Sequence, residues 1–245
     1  MHVIFNADDF GLSRGVNTGI IESSTNGVVR STTLMVGMEA QSHGLSLLSN
    51  APNLKLGLHL RLTAGQAFSK KGTLTDGAGH FLSQDNFWPR THFDESELYE
   101  ELSLQVDAFK QLGISLSHID SHHHVHTHPK VFPVVFELAQ KHNVPLRGGE
   151  TLAANPRVLR YQFSDVFYGD SIDVATIVNE IKRCRLHTDV VEFMCHPAHV
   201  DHSLKAQSSY HQQRATELQT LISEELQQAL HKERVSVTDY SIFCQ

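Results

Sequence analysis

Twelve residues in the middle of the chain, His118–Pro129, read HIDSHHHVHTHP, and six of them are histidine. Imidazole is the commonest nitrogen ligand for metals and titrates near neutral pH, so the run points to metal binding or proton transfer. Three other places carry matching chemistry. VIFNADDFG ends an apolar run in two adjacent carboxylates, Asp8 and Asp9, followed by Gly11. KLGLHLRL alternates, with Leu56, Leu58, Leu60 and Leu62 on one face and Lys55, Gly57, His59 and Arg61 on the other. VEFMCHPAH closes a third apolar run with His196, and Pro197 stops the strand there. A carboxylate with two histidines and open positions is a recurring hydrolytic metal site. A second carboxylate beside it can take a proton from water, and a histidine opposite can return one to a leaving group.

Spacing alone leaves the ligands open. In a regular strand Asp8 and Asp9 point to opposite faces, so both reach one site only where the backbone breaks parity. A plain Asp/Gly turn is the competing reading. His118 and Asp120 share a strand face. If that strand continues, His122, His124, His126 and His128 keep the parity of Asp120; if a helical turn begins, His122 and His126 become neighbours at i and i+4.

The elements that must position these residues alternate in type. Strand patterns fall at His2–Ala7, Thr32–Val36, Lys55–Leu62, Leu116–Asp120, Val144–Arg147, Val190–Cys195 and Arg234–Val237. Helical patterns cover Asp94–Gly113, Pro129–Asn143, Ser171–Leu186 and Tyr210–His231. The first of these opens on a capping-box pair, Asp94 with Glu97, and ends at Gly113. Strand–helix alternation implies an α/β fold with a parallel sheet. About seven strands suit a (β/α) barrel, whose active site gathers at the C-terminal ends of the strands. No linker or repeat divides the chain, which reads as one domain, 1–245. Residues 63–93 and 148–170 are loops too long to be idle connections. Their aromatics, including Trp88, Tyr161 and Tyr168, either stack on a sugar ring or cover the barrel mouth.

Composition narrows the partners. The 245 residues carry a formal net charge of −7, which argues against a nucleic-acid surface. No stretch is long and apolar enough to cross a bilayer. Three cysteines without a CxxC pair suit a reducing compartment, and the first residues do not read as a leader; the expectation is a cytoplasmic protein.

The words NADDFGLSRGVNTGI, VRSTTLMV, GLHLRLT, HIDSHHHVHTHP, PLR, FYG and EFMCHPA occur in that order from Asn6 to Ala198. In them the chain resembles the YdjC-like carbohydrate deacetylases, a family that includes chitooligosaccharide deacetylases. The resemblance implies a distorted TIM-like barrel, as in polysaccharide deacetylases. It implies removal of the N-acetyl group from an acetylated amino sugar, such as diacetylchitobiose or its phosphate, with release of acetate. Asp9, His59 and His122 would hold one divalent metal ion, Asp8 would be the base that activates water, and His196 the general acid or oxyanion partner. By looser analogy Arg147 would orient Asp8. Arg61, His118, Asp120, His124 and His126 would support the site or line the sugar; His126 is the second choice as ligand, and His123 is structural. A homodimer is expected on the same ground.

Magnesium is the metal the resemblance implies, whereas two imidazoles favour zinc, cobalt or nickel. Two other readings compete. One is a different single-metal hydrolase, an amidohydrolase or phosphoesterase. The other is a histidine-rich metal-binding protein, which leaves Asp8, His59 and His196 without a purpose.

Overall fold

The computed structural model describes residues 1–69, 72–148 and 159–244. Its centre is a parallel sheet of seven strands among the described residues: β1 (His2–Phe10), β2 (Ser31–Leu34), β3 (Lys55–Leu60), β4 (Ile119–Ser121), β5 (Tyr161–Ser164), β6 (Val190–Cys195) and β7 (Ser236–Thr238). The order is β4-β3-β2-β1-β6-β5. Along one edge of β1, β7 pairs with His2–Ile4 and β2 with Asn6–Phe10, so two strands share that edge at different heights. Val3, Ile4, Phe5, Ala7 and Phe10 are buried, as a parallel strand covered on both faces requires.

The sheet curls into an incomplete barrel. Val144–Arg147, expected as a strand, contributes only a single parallel bridge, Ile119 to Leu146. The strand that completes the seven is instead Tyr161–Ser164, inside the segment expected to be loop. It was missed because it is short, polar and half-buried, and pairs only with β6. Between Leu146 and β5 the described residues make no backbone ladder. Side chains span the gap: the Gly148 N–H donates to the Tyr161 hydroxyl at 3.3 Å, and Arg147 lies over the Phe163 ring at 5.2 Å. Residues 149–158 of the expected second loop, and Lys70 and Lys71 of the first, lie outside the described residues.

Helices clothe the sheet, and their ends follow local chemistry. Glu95–Lys110 starts at Asp94, whose carboxylate accepts from the N–H groups of Ser96 and Glu97, a cap worth about 1 kcal/mol. The capping box is only half formed. Glu97 turns away and accepts from the backbone and hydroxyl of Thr73, tying down the loop after β3. The pattern read as one helix over Tyr210–His231 is two, Gln212–Ile222 and Glu224–Lys232. Ser223 separates them with an extended backbone and caps the second through Leu226 N–H, an alternative that serine offers within helical patterns.

One helix absent from the sequence reading, Arg14–Thr25, sits directly beside the site. Its Gly15 and Gly19 face the segment after β6. A Cβ at Gly15 would meet the His199 carbonyl oxygen at 1.9 Å, and one at Gly19 the Ala198 Cα at 2.5 Å. This close approach holds the chain leaving β6 against the turn leaving β1.

Candidate active site

Asp8 and Asp9 reach one site because the backbone breaks parity at Asp9 itself. Its φ is 71°, and β1 bulges against β2 between Ala7 and Phe10. A left-handed aspartate is tolerated though uncommon, and such strain clusters at working sites. Gly11, with φ 97°, completes the turn, and its N–H donates to the Asn17 side chain at 2.7 Å.

Asp9 Oδ1 faces two imidazole nitrogens, His122 Nδ1 at 2.8 Å and His59 Nε2 at 3.2 Å. Asp9, His59 and His122 thus offer one donor atom each within a radius fit for one ion. The donor chemistry fits a transition metal. His59 Nδ1 is held by Asp120 Oδ1 at 2.7 Å, which fixes the tautomer and aims Nε2 at Asp9, as metal-binding histidines require. Burial favours neutral His59, yet Asp120 and the hydrogen bonds to Asp120 and Asp9 outweigh it and hold the imidazole up at about 10. Burial also penalises ionised Asp9, but His122 and Arg214 hold it well below the usual carboxylate range.

Asp8 is gripped at both oxygens. Arg147 Nη1 and Nη2 donate to it at 2.6 and 2.7 Å, and Asn6 adds a bond at 2.8 Å. The same guanidinium reaches Asp120 Oδ2 at 2.9 Å and Glu192 Oε1 at 2.8 Å. Beneath it the hydroxyls of Tyr161 and Tyr240 donate to Glu192. Asp8, His59 and Asp120 form a second overlapping donor set, but Arg147 already joins its two carboxylates.

The histidine run divides. β4 ends at Ser121, and the next turn carries His123 and His124 with φ of 53° and 54°. Neither strand parity nor helical spacing therefore continues through it. His122 faces Asp9. The His123 ring lies tilted against His122, with centroids 3.8 Å apart, and bonds the Thr63 hydroxyl at 2.9 Å. His124 lies edge-on to Phe163 and lines the cavity. His126, the i+4 alternative, is buried against the Ser121 hydroxyl and does not face Asp9. His118 bonds only Ser117 and stacks on Tyr240 at 3.7 Å; it makes no hydrogen bond to the cluster, unlike Asp120. Its ring fills the space that a side chain on Gly57 would need. His128 is wrapped by Phe87, Trp88 and Phe93. Arg61 also lies off the site: it donates to the carbonyls of Val36, Ala64 and Gln66.

A cavity of about 320 Å³ opens onto Asp8, Asp9, His59, His122 and His196. A second of about 370 Å³ adjoins it, sharing Gln84, His123, His124 and Asp165 and walled by Trp88 and Phe163. The His196 ring stands edge-on to Tyr168 and Tyr210, and its backbone N–H donates to Glu217. Sequence reasoning missed Arg214 and Glu217, both buried on the helix Gln212–Ile222, and Tyr210 just before it. Arg214 Nη2 donates to Asp9 Oδ2 at 2.7 Å. No local motif marks these residues, and an amphipathic helix gives no sign of which of its charges are buried.

The profile of the YdjC-like protein family matches residues 2–232. A carbohydrate deacetylase of Vibrio vulnificus (strain CMCP6) is 46% identical over 241 residues, spanning 98% of this chain and 96% of its own. A crystal structure from Enterococcus faecalis V583, described as a candidate cellobiose-phosphate cleavage protein, aligns with TM-score 0.88 and 30% identity over 98% of both chains. The fold alone extends to a Streptococcus mutans CE4 esterase, with TM-score 0.52, 13% identity, and coverage of 96% of this chain and 85% of the other. A family match over residues 2–232, with 46% identity to a relative across 98% of the chain, places this chain in the YdjC-like protein family.

Proposed function

We propose that the protein is a metal-dependent carbohydrate deacetylase, removing the N-acetyl group from an acetylated amino sugar such as diacetylchitobiose. The observation that carries this reading is the convergence of Asp8, Asp9, His59, His122 and His196 on one cavity. The relatives named carbohydrate deacetylase supply the substrate class.

Asp9, His59 and His122 would hold a divalent ion, which when bound supplies Lewis-acid stabilisation of charge on the acetyl oxygen. Asp8 takes the proton from the attacking water, and Arg147 and Asn6 fix its carboxylate for that transfer. As the new C–O bond forms and the C–N bond breaks, His196 gives a proton to the departing amine nitrogen. Acetate and a free amino sugar result. Tyr168, stacked on Tyr210 at 4.2 Å and 45% exposed, offers a face to the sugar at the mouth.

The rival readings fare worse. The phosphoesterase reading in its commoner two-metal form needs the second donor set free, but Arg147 occupies its two carboxylates. For a single-metal hydrolase of another class, the relatives' names favour deacetylation. A metal store needs the imidazoles of the run to converge, and His118, His126 and His128 are committed elsewhere.

Acetate release from N,N′-diacetylchitobiose, with and without chelator, is the test. Turnover should stop on chelation and return with zinc or another divalent ion. In Asp8→Asn metal binding should persist while turnover falls by about 10² or more. Full activity after chelation would reject metal dependence, and no acetate from the metal-loaded enzyme would reject deacetylation of this sugar.

A further inference from the structure

Among the described residues Arg61, Arg147 and Arg214 are buried arginines, and neither Arg61 nor Arg147 has a buried guanidinium nitrogen without a partner. Arg214 is different. It is 3% exposed, its Nε donates to the Tyr210 carbonyl at 2.8 Å, and its Nη2 donates to Asp9 Oδ2 at 2.7 Å. Its Nη1 is buried with no partner among the described residues. A buried donor left unsatisfied costs stability, so this side chain is not arranged for stability alone.

The Asp9 carboxylate is split between two tasks. Oδ1 faces His59 and His122, whereas Oδ2 is bound to Arg214. Arg214 lies in the first turn of its helix, and Glu217, three residues on, accepts from the His196 backbone N–H, with its other oxygen 3.8 Å from the ring Nδ1. One helix thus braces both the ligand carboxylate and the histidine across the cavity.

We infer that Arg214 is a positioning residue that confines Asp9 to donating one oxygen to the metal ion. The inference rests on the metal-dependent reading above. A catalytic metal keeps a position open for water and substrate, and a carboxylate that binds through both oxygens fills it. A guanidinium on Oδ2 blocks that second grip. Because it is also a cation close to a cation, it does not tighten metal binding.

This separates the proposal from a bracing role. In Arg214→Gln, zinc should bind with a dissociation constant no higher than that of wild type, measured by equilibrium dialysis. Deacetylation should nonetheless fall by at least about tenfold in kcat. A raised dissociation constant, or a smaller loss of turnover, overturns the role given to Arg214. Wild-type protein that binds no divalent ion would overturn the metal reading instead. Should Arg214→Gln not fold, the infrared difference spectrum of zinc-loaded minus zinc-free wild type decides. A wide separation of the carboxylate stretches is expected for one-oxygen binding, and the narrow separation of two-oxygen binding overturns the inference.

Discussion

The barrel interior holds two arginine-centred regions that look alike in sequence and differ in structure. Arg61 and Arg147 each follow a leucine at the end of an apolar run, and each is 1% exposed. Arg61 meets neutral acceptors: three backbone carbonyls, with the rings of Phe68 and Phe81 each 5.4 Å from its guanidinium. Arg147 meets Asp8, Asp120 and Glu192. Burial pulls both down. At Arg61 it wins, Glu101 offsetting only part, and the guanidinium falls to about 10. At Arg147 the carboxylates win and raise it. The first region folds a loop with a charge; the second uses a charge to hold other charges in place. A dipeptide does not show which, because the partners come from across the barrel.

The comparison breaks most visibly at Arg147. Replacing it by methionine leaves three buried carboxylates without their shared cation, at a cost of about 3–5 kcal/mol near neutral pH. Those carboxylates then take up protons more readily folded than unfolded. Groups whose folded pKa is raised lose stability as pH rises through that value, so Arg147→Met should be relatively sturdier at about pH 5 than at about pH 8. Urea unfolding at the two pH values checks both size and sign. A loss below 1 kcal/mol, independent of pH, would remove Arg147 from the centre of this network.

Arg61→Met should cost less, about 1–3 kcal/mol, because the groups it abandons are carbonyls. Carbonyls do not titrate, so apart from the one carboxylate nearby, Glu101, the loss should vary less between about pH 5 and 8 than that of Arg147→Met. Turnover should change little, since Arg61 touches none of the cluster. A deacetylation defect as deep as that expected for Asp8→Asn would show that loop 62–69 shapes the cavity through Arg61.

The same contrast explains how much of the molecule was legible beforehand. Alternating leucines placed β3, and apolar runs broken by Asn6 and by Glu192 placed β1 and β6, because burial on both faces leaves a strong mark. Strand ends then put Asp8, Asp9, His59 and His196 on one rim. Beyond those ends periodicity carries no information. His123 and His124 adopt left-handed conformations, so the helical spacing that would set His126 beside His122 does not apply. Asp9 likewise reaches the site through a positive φ that no pattern announces. Arg214 and Glu217 were invisible for a different reason: their partners lie about 200 and 20 residues away, and an amphipathic helix looks the same whether its buried charges brace a site or a core.

His59 sharpens the comparison further, because it is the one cation in the Arg147 region that can leave. Asp120 is shared between Arg147 and His59, and its hydroxyl partner Thr33 bonds both Asp120 and His59. Without metal, the imidazole stays protonated to about 10. That raised value contributes stability fully present below the ordinary imidazole pKa and lost as pH climbs through 10. A metal ion binding at Nε2 must displace this proton, whereas no ion can deprotonate Arg147. Affinity for zinc should therefore rise about tenfold per pH unit from neutrality, which is about 1.4 kcal/mol per unit, with one proton released per ion. Calorimetry between about pH 7 and 8, in two buffers of different ionisation enthalpy, counts that proton directly. Binding that releases none, with an affinity indifferent to pH, would mean that the ion enters elsewhere and that His59 belongs with Arg147 as a fixed counter-charge to Asp120.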